Sequence, residues 1–364
     1  MLSQPFTWRS HRVRPLGKKS KRRNNQVNII YGSSIVLSLV EKKLTKVPRQ
    51  AKIISNSSTT CSQAFASSTL KNNNFGKPET MKVKFYGVRG SVPVCGAEFQ
   101  RYGGNTTCIR IARESAKRIW IFDAGTGIRK LGKDLMREGY KQEVINIGFT
   151  HFHWDHIQGF PFFAPCYDPD QIIGLMAMGD ERKYKNLKEI FSVQMQTDYF
   201  PVSLDSMGAK FQFLSMGSKE TYYGVTATAV PQHHQYPGGS YGFRLEDDSQ
   251  VLVFCTDVEH INGIDETIVE LARNADLLIH DGQYTDEEYA RYRGWGHSTW
   301  RTAVEVAKRA NVKKLIITHH DPDHDDDMLD SMESECQKEF PNSVFAKEGM
   351  EVQVSLPAVL VPSI

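Results

Sequence analysis

From Met81 onward, short runs of apolar residues alternate with polar turn signals along most of the chain. Runs of this kind, rich in Val, Ile, Phe and Tyr and bounded by Gly, Asn or Asp, predict β-strands. The predicted strands cover residues 83–88, 107–112, 118–123, 144–150, 223–230, 242–246, 251–257, 276–280 and 314–318. The succession contains no internal repeat, so the pattern indicates a non-repetitive domain.

Two segments show helical spacing instead. Within residues 181–196, apolar side chains from Leu187 to Met195 recur roughly on one face. Residues 299–310 predict a second helix, and Ser298 is its expected N-cap. A mixture of buried strands and amphipathic helices is typical of an α/β fold.

Candidate ligands follow the ends of several predicted strands. His151, Asp257, His280 and His319 each lie at or just after the carboxyl end of such a strand. Loops at this end of a rigid sheet are where α/β folds place their chemistry. We therefore expect these side chains to approach one another.

The stretch THFHWDH, residues 150–156, crowds three histidines and a carboxylate together. Side chains two residues apart in an extended segment point the same way, so His151 and His153 are able to share one cation. Asp155 and His156 follow as the chain turns, and are able to face a second cation. Imidazole and carboxylate ligands suit zinc or manganese. The alternative is a loop of surface histidines, and the candidate ligands at later strand ends argue against it.

Charge divides the chain at Met81. Residues 1–80 hold 15 Lys/Arg against two acidic residues, a formal charge of +13, whereas residues 81–364 hold 30 Lys/Arg against 40 Asp/Glu, or −10. The first segment is rich in Ser, Asn, Lys and Arg without periodicity, which favours a basic, disordered extension. A targeting segment and a nucleic-acid-binding arm stay open as alternatives. The apolar run at 28–40 is too short and interrupted to span a bilayer.

The six cysteines are widely spaced and form no CxxC pair. This spacing argues against a disulfide framework and against a zinc site built from cysteines. A reducing cytoplasm suits such a set, and we expect a cytoplasmic protein.

THFHWDH is similar to the HxHxDH signature of the metallo-β-lactamase-fold hydrolases. Later elements match that family in order: PQHHQYPGGSYGFRLE (231–246), FCTDVE (254–259), HDGQYTDEEY (280–289), GWGHST (294–299) and ITHHDPDH (317–324). The likeness covers nearly all of residues 81–364 and implies a four-layer αββα sandwich. It is strongest for a branch of class-II-like cyclic-nucleotide phosphodiesterases and anti-Pycsar phosphodiesterases, near ribonuclease Z and the phosphonate-pathway cyclic phosphodiesterase.

The resemblance implies a dinuclear metal centre with two zinc ions, or manganese in their place. The implied ligands are His151, His153 and His234 for one metal, and Asp155, His156 and His319 for the other, with Asp257 as the bridge. Two positions stay open, because His233 precedes His234 and His320 follows His319. Family members with a thiolate ligand have Cys where Asp257 stands, and the nearby Cys255 is expected to be a buried apolar residue.

Asp155 and His297 are the expected catalytic residues. The resemblance to ribonuclease Z-like enzymes implies that His297, in GWGHST, assists departure of the leaving group as a general acid. Because the following helix N-terminus opposes protonation, a carboxylate should hold the imidazole charged, and the candidates are Asp155 and Asp281. His280, Asp281 and Tyr284 either line the pocket or have a structural role.

Two weaker features complete the site's surroundings. Asp123 ends a strand and is expected to brace the histidine-bearing loop, as this acid does in the family. Residues 323–327, DHDDD, are expected to form a solvated acidic loop.

The charge of the expected site favours an anionic substrate. Two divalent ions, two carboxylates and a hydroxide leave about one positive charge, and two-metal centres suit phosphodiester hydrolysis. An RNA processor needs many Lys/Arg contacts to phosphates, whereas residues 81–364 are acidic and lack the Gly/Pro-rich basic arm of ribonuclease Z between His156 and His233. The prediction is a homodimeric phosphodiesterase for cyclic nucleotides, with no membrane partner. A ribonuclease Z-like RNA endonuclease and a thioester or ester hydrolase are the alternatives.

Overall fold

The computed structural model describes residues 80–113, 118–140, 144–179, 186–222 and 224–354, which all belong to one compact unit. The predicted extension, residues 1–80, lies outside them apart from Thr80, so its disorder stays a prediction. In the described part of the chain, no helix has the length and apolar character needed to cross a membrane.

The described residues form two seven-stranded sheets. The strands are β1 (Met81–Gly87), β2 (Cys108–Arg113), β3 (Arg118–Phe122), β4 (Val144–Gly148), β5 (Ile172–Met178), β6 (Lys210–Met216), β7 (Lys219–Tyr222), β8 (Val225–His234), β9 (Tyr236–Glu246), β10 (Val251–Cys255), β11 (Leu277–Asp281), β12 (Leu315–Thr318), β13 (Ser343–Phe345) and β14 (Glu351–Gln353). The helices are α1 (Ile128–Arg137), α2 (Trp154–Ile157), α3 (Leu187–Gln194), α4 (Glu266–Ala272), α5 (Asp286–Tyr292), α6 (Trp300–Arg309) and α7 (Asp326–Glu339). Each predicted strand is therefore present, within a few residues of its predicted bounds.

Each sheet is antiparallel over some strands and parallel over others. The first has the order β14-β1-β2-β3-β4-β5-β6, and its strands from β3 to β6 are parallel. The second has the order β13-β12-β11-β10-β9-β8-β7, and its strands from β10 to β13 are parallel. Parallel strands end at a common edge, so the loops after β10, β11 and β12 are neighbours there.

The two sheets pack face to face through an apolar core. Phe122 of the first sheet lies 4.9 Å from Phe243 and 6.0 Å from Phe254 of the second, measured between ring centroids. Each fully buried aromatic side chain of this kind stabilises the fold by roughly 1.5–3 kcal/mol. Two further cores cover the outer faces, with Leu131 of α1 in one and Val304 of α6 in the other. The architecture is the expected αββα sandwich.

The N-cap prediction for the second helix was wrong by one residue. Thr299 caps α6, because its side-chain oxygen accepts a hydrogen bond from the amide of Thr302 at 3.2 Å. The hydroxyl of Ser298 instead donates to the carbonyl of Val258 at 2.5 Å. The α3 helix begins at Leu187, and residues 181–185 of the predicted helical segment lie outside the described residues.

The prediction of a solvated loop at residues 323–327 holds for Asp323, Asp325 and Asp327, which are exposed, and was wrong for His324 and Asp326. Asp325 caps α7, and the side chains of His324 and Asp326 are buried. The guanidinium of buried Arg89 donates from Nη1 to the carbonyl oxygens of Asp321, at 3.0 Å, and His324, at 2.6 Å. Arg89, far away in sequence, therefore fixes the backbone at the start of this segment, while Asp323, Asp325 and Asp327 are exposed.

Candidate metal centre

The first sheet supplies candidate ligands from a single loop. After β4 ends at Gly148, the chain passes through His151 and His153 into the one-turn helix α2, which contains Asp155 and His156. His151, Asp155 and His156 are buried, whereas His153 is exposed. The short helix turns the last two side chains toward the cluster, as the spacing of THFHWDH predicts.

The second sheet supplies candidate ligands from three separate places. His234 is the last residue of β8, Asp257 follows β10, and His319 directly follows β12. Asp257 and His319 have φ angles of 56° and 64°, and Asp123, after β3, has a φ of 60°. Left-handed conformations are uncommon for residues other than glycine, and such strain gathers at functional sites.

The structure brings these side chains into two adjoining donor groups. The first is His151, His153 and His234, and the second is Asp155, His156, Asp257 and His319; the donor atoms within each group lie within 4.8 Å of one another. Asp257 approaches both groups, because its Oδ1 lies 3.7 Å from His151 Nε2 and 3.3 Å from His319 Nε2. A carboxylate in this position is able to serve two cations.

The donors fit divalent cations. The Nε2 atom of His151 is buried and makes no hydrogen bond to any described residue. A buried polar atom without a partner is costly, whereas an unprotonated imidazole nitrogen is an ordinary ligand for zinc. A set of imidazoles and carboxylates without a thiolate also suits such ions. Both observations agree with the sequence-based expectation of a metal centre.

The buried carboxylates of the cluster favour positive charge beside them. Burial alone would raise the pKa of Asp257, but His156, His319 and His151 hold the pKa of that carboxyl well below its usual value. Burial opposes charge on His319 as well, yet Asp257 and Asp155 raise the pKa of this imidazole to about 9. The two carboxylates are therefore ionised and need cationic partners, a role that metal ions would take over from the histidines.

Hydrogen bonds to residues outside the donor groups orient the candidate ligands. Asp123 accepts a hydrogen bond from Nδ1 of His156 at 2.9 Å and another from the amide of Thr150 at 2.9 Å. Nδ1 of His234 donates to the carbonyl of Gly296 at 2.8 Å. Hydrogen bonds of this kind fix the tautomer of an imidazole and leave its other nitrogen for a metal. Asp123 lies where the sequence predicted a brace.

The geometry separates the neighbouring histidine pairs. The side chain of His234 lies with the donors, 3.0 Å from His153 Nδ1, while a register shift after Gln232 sets His233 apart from them. Nε2 of His320 donates to the carbonyl of Ala346 at 2.9 Å. The structure thus gathers His234 and His319 at the cluster, and neither His233 nor His320.

His297 lies beside the cluster and contacts Asp281. Its Nδ1 is 2.9 Å from Asp281 Oδ2, and its ring centroid is 5.0 Å from that of His234 and 4.9 Å from that of His319. Of the two carboxylates considered for this contact, Asp281 makes it and Asp155 does not. Asp281 also accepts from the amides of Asp257 and Ser298, at 3.0 and 3.1 Å, so it joins His297 to the loop after β10.

Three contributors to the site escaped sequence analysis. Gln283 accepts from Nδ1 of His319 at 3.0 Å, the amide of Ser91 donates to Asp155 Oδ2 at 2.9 Å, and buried Glu259 accepts from the amide of Gly296 at 2.8 Å. Each contact joins residues that are far apart in sequence. Gln283 and Glu259 stand inside the quoted motifs HDGQYTDEEY and FCTDVE, which was the available signal.

Comparison with known proteins agrees with this geometry. The family model of the beta-lactamase superfamily domain matches residues 118–354. Ribonuclease Z of Gemmatimonas aurantiaca is 24% identical over 318 residues, covering 75% of this chain and 96% of the relative. The metallo-beta-lactamase fold protein YhfI from Bacillus subtilis superimposes with a TM-score of 0.56 at 18% identity, covering 76% of this chain and 99% of its own. Human tRNase Z, short form, superimposes with a TM-score of 0.53 at 18% identity, covering 76% of this chain and 100% of its own.

The family model covers more than half of the chain and includes every candidate ligand. The fold of the solved structures is the sandwich described above. The chain therefore belongs to the beta-lactamase superfamily and is a metal-dependent hydrolase with the metallo-β-lactamase fold.

Proposed function

We propose that the chain is a dinuclear, metal-dependent phosphodiesterase. The observation that carries this proposal is the pair of adjoining donor groups, both approached by Asp257, with the Asp281–His297 pair directly beside them. His151, His153 and His234 would hold one divalent ion, and Asp155, His156 and His319 the other. The donor set fits zinc, with manganese as the alternative.

When bound, two such ions activate water near neutral pH and stabilise the charge of an anionic reaction centre. The residues of the chain do the remaining work. Asp257 and Asp155 neutralise only part of the metal charge, which favours an anionic phosphodiester over a neutral ester. Asp155, which we expected to be catalytic, would act as a ligand fixed by the amide of Ser91 at 2.9 Å.

His297 is proposed as the general acid. Its Nδ1–H donates to Asp281, which leaves Nε2 to deliver a proton to the departing oxygen as the P–O bond breaks. Asp281 is fully buried and is held by backbone amides, so it fixes the position of the imidazole. General acid catalysis of this kind is worth roughly 10²–10⁴-fold in rate.

An RNA phosphodiester is the substrate that the similarities favour. Curated relatives at 22–25% identity, of which 96–100% of the length is covered, are named Ribonuclease Z. A cyclic mononucleotide is the second candidate, and the acidic charge of −10 over residues 81–364 supports it. A small anion needs few basic contacts, whereas an RNA needs many.

One panel of substrates tests the proposal and ranks the two candidates. The zinc- or manganese-loaded protein is assayed with a precursor tRNA, 3′,5′-cAMP, 3′,5′-cGMP, 2′,3′-cyclic nucleotides, bis(p-nitrophenyl) phosphate and a thioester. We expect turnover of phosphodiesters and none of the thioester. Turnover of the thioester alone would show that the protein is a thioesterase and that the phosphodiesterase proposal is wrong.

We further propose that the protein is a homodimer, as the family resemblance implies. Multi-angle light scattering of the metal-loaded protein measures its mass directly. A monomer at micromolar concentration would contradict this proposal without touching the catalytic one.

A further inference from the structure

Besides Trp154, which is 64% exposed within the histidine motif itself, two large aromatic side chains are exposed near the metal centre. Trp295 is 58% exposed and lies two residues before His297, while Tyr236 is 59% exposed and lies two residues after His234. Indole and phenol rings contribute large contact areas when a ligand covers them. Exposed aromatic surface next to a reaction centre therefore indicates a ligand-binding surface.

The backbone segments that carry these two residues pack against each other. The loop 294–296 packs against the turn that joins β8 to β9, since the carbonyl of Gly296 accepts from His234 Nδ1 at 2.8 Å. A Cβ on Gly296 would come within 2.2 Å of His234 Nδ1 and 2.9 Å of the amide nitrogen of Gln235, so only glycine allows this approach. Trp295 and Tyr236 each lie one residue from that contact.

A buried carboxylate holds the Trp295 loop rigid. Glu259 accepts hydrogen bonds from the amides of Gly294, at 2.6 Å, and Gly296, at 2.8 Å. Both glycines have left-handed φ angles, 91° and 95°, that other residues rarely adopt. The amide of Trp295 donates to the carbonyl of Tyr292 at 3.0 Å, and the two rings lie 5.1 Å apart between centroids. The backbone on both sides of Trp295 is therefore fixed and its indole rests on Tyr292 while staying 58% exposed, so little ordering remains for a ligand to impose.

We propose that Trp295, with Tyr236 beside it, is the stacking surface for a nucleobase of a substrate whose phosphate lies at the metal centre. This inference rests on the proposed phosphodiesterase function and narrows its substrates to nucleotides. Bases stack on aromatic side chains with little dependence on base identity, and the loss of one such contact weakens binding roughly 5- to 150-fold. A phosphodiester that lacks a base gains nothing from this surface.

Isothermal titration calorimetry of two probe compounds with the zinc-loaded protein tests the inference. The probes are adenosine 5′-monophosphate and ribose 5-phosphate, which share the phosphate and the sugar and differ in the base. Trp295→Ala should weaken the binding of adenosine monophosphate roughly 5- to 150-fold and change the affinity for ribose 5-phosphate less than twofold. Trp295→Phe should restore most of the affinity. Tyr199→Ala is the matched control, because Tyr199 is 66% exposed in the turn after α3, and it should change neither affinity.

The other outcomes are also decisive. Equal affinity of the wild-type protein for the two probes would overturn the stacking surface, as would equal weakening of both probes by Trp295→Ala. Hydrolysis of bis(p-nitrophenyl) phosphate together with either result would leave the phosphodiesterase proposal standing. If the zinc-loaded protein neither binds the probes nor hydrolyses that diester, both proposals are wrong.

Discussion

The two halves of the sandwich build the metal centre in different ways. The first sheet contributes its candidate ligands from one stretch of six residues, His151 to His156. The second contributes single residues after three strands, His234, Asp257 and His319, and these are up to 85 residues apart. A compact motif needs only local chain geometry, whereas scattered ligands depend on the register of a whole sheet.

The hydrogen bonds that orient the candidate ligands also differ between the two halves. In the first half, the carboxylate of Asp123 holds His156. In the second half, neutral acceptors hold the imidazoles, namely the side-chain oxygen of Gln283 for His319 and the carbonyl of Gly296 for His234. The first half therefore relies on a charged brace and the second on the placement of its loops.

The largest effect is expected at the residue that joins the two halves. Asp257→Ala removes the carboxylate that approaches both donor groups, so the two cations would lose their shared anion and repel each other. We expect loss of both metals by elemental analysis and no measurable turnover. His153→Ala, in the first half, is the matched comparison and should abolish turnover while lowering metal content less. Two bound metals and a normal rate in Asp257→Ala would show that it is not the bridge.

This contrast explains how much of the site sequence analysis found. THFHWDH identifies its own ligands, because spacing of two residues and a following turn fix where the side chains point. Asp257 and His319 stood out because they follow predicted strands, but His234 and the assignment of all three to metals came from the order of family motifs, which left His233 and His320 as alternatives. The folded structure separates these pairs, because His234 and His319 lie in the donor groups whereas Nε2 of His320 donates to the carbonyl of Ala346. Such an arrangement depends on the pairing of distant segments, which no single segment contains.

Long-range polar contacts were the least predictable part. The strands followed from apolar patterning, but an acidic run such as residues 323–327 has the composition of a solvated loop. His324 and Asp326 within it are buried all the same, and Arg89, 235 residues earlier, donates to the carbonyl of His324. Glu259 likewise gives no local sign that it holds the Trp295 loop.

The second-largest effect is expected at His297, the proposed general acid, which the second half supplies. His297→Ala should lower kcat on a cyclic nucleotide or an RNA roughly 10²–10⁴-fold, because an alkoxide leaving group needs a proton. The loss should be much smaller on bis(p-nitrophenyl) phosphate, whose leaving group departs unprotonated. Elemental analysis should still find both metals. Equal losses on both substrates would indicate phosphate positioning, and loss of a metal would make His297 a ligand.

A smaller effect compares the two kinds of outer hydrogen bond. Asp123→Asn keeps the size of the side chain but removes the charge that holds His156, and should weaken metal binding roughly 10- to 100-fold. Gln283→Leu removes the neutral partner of His319 and should weaken metal binding less than Asp123→Asn does. Competition with a chelator measures both affinities. A greater loss in Gln283→Leu would reverse the proposed difference between the halves.

The smallest expected effect concerns pH and a pair of histidines behind the site in the second half. His260 and His280 are buried, with their Nε2 atoms 3.4 Å apart and their rings stacked at 5.5 Å. Nδ1 of His260 accepts from the amide of Asp265 at 2.9 Å, which requires that nitrogen to be unprotonated. Burial, and then His280, lower the pKa of His260 to about 3. The native pair is therefore neutral at and above pH 6.5.

An unfolded histidine has a pKa of about 6.5, so below that pH the unfolded chain binds a proton that native His260 does not. The free energy of unfolding should be unaffected by this residue at pH 7.5 and should fall as the pH drops from 6.5 toward 3. One such proton contributes a slope of up to about 1.4 kcal/mol per pH unit. His260→Gln keeps an acceptor for the Asp265 amide but does not titrate, so urea unfolding at pH 7.5, 6.0 and 5.0 should show a shallower decline than the wild type. Parallel curves for the two proteins would mean that His260 is protonated in the native state or that another group controls acid stability.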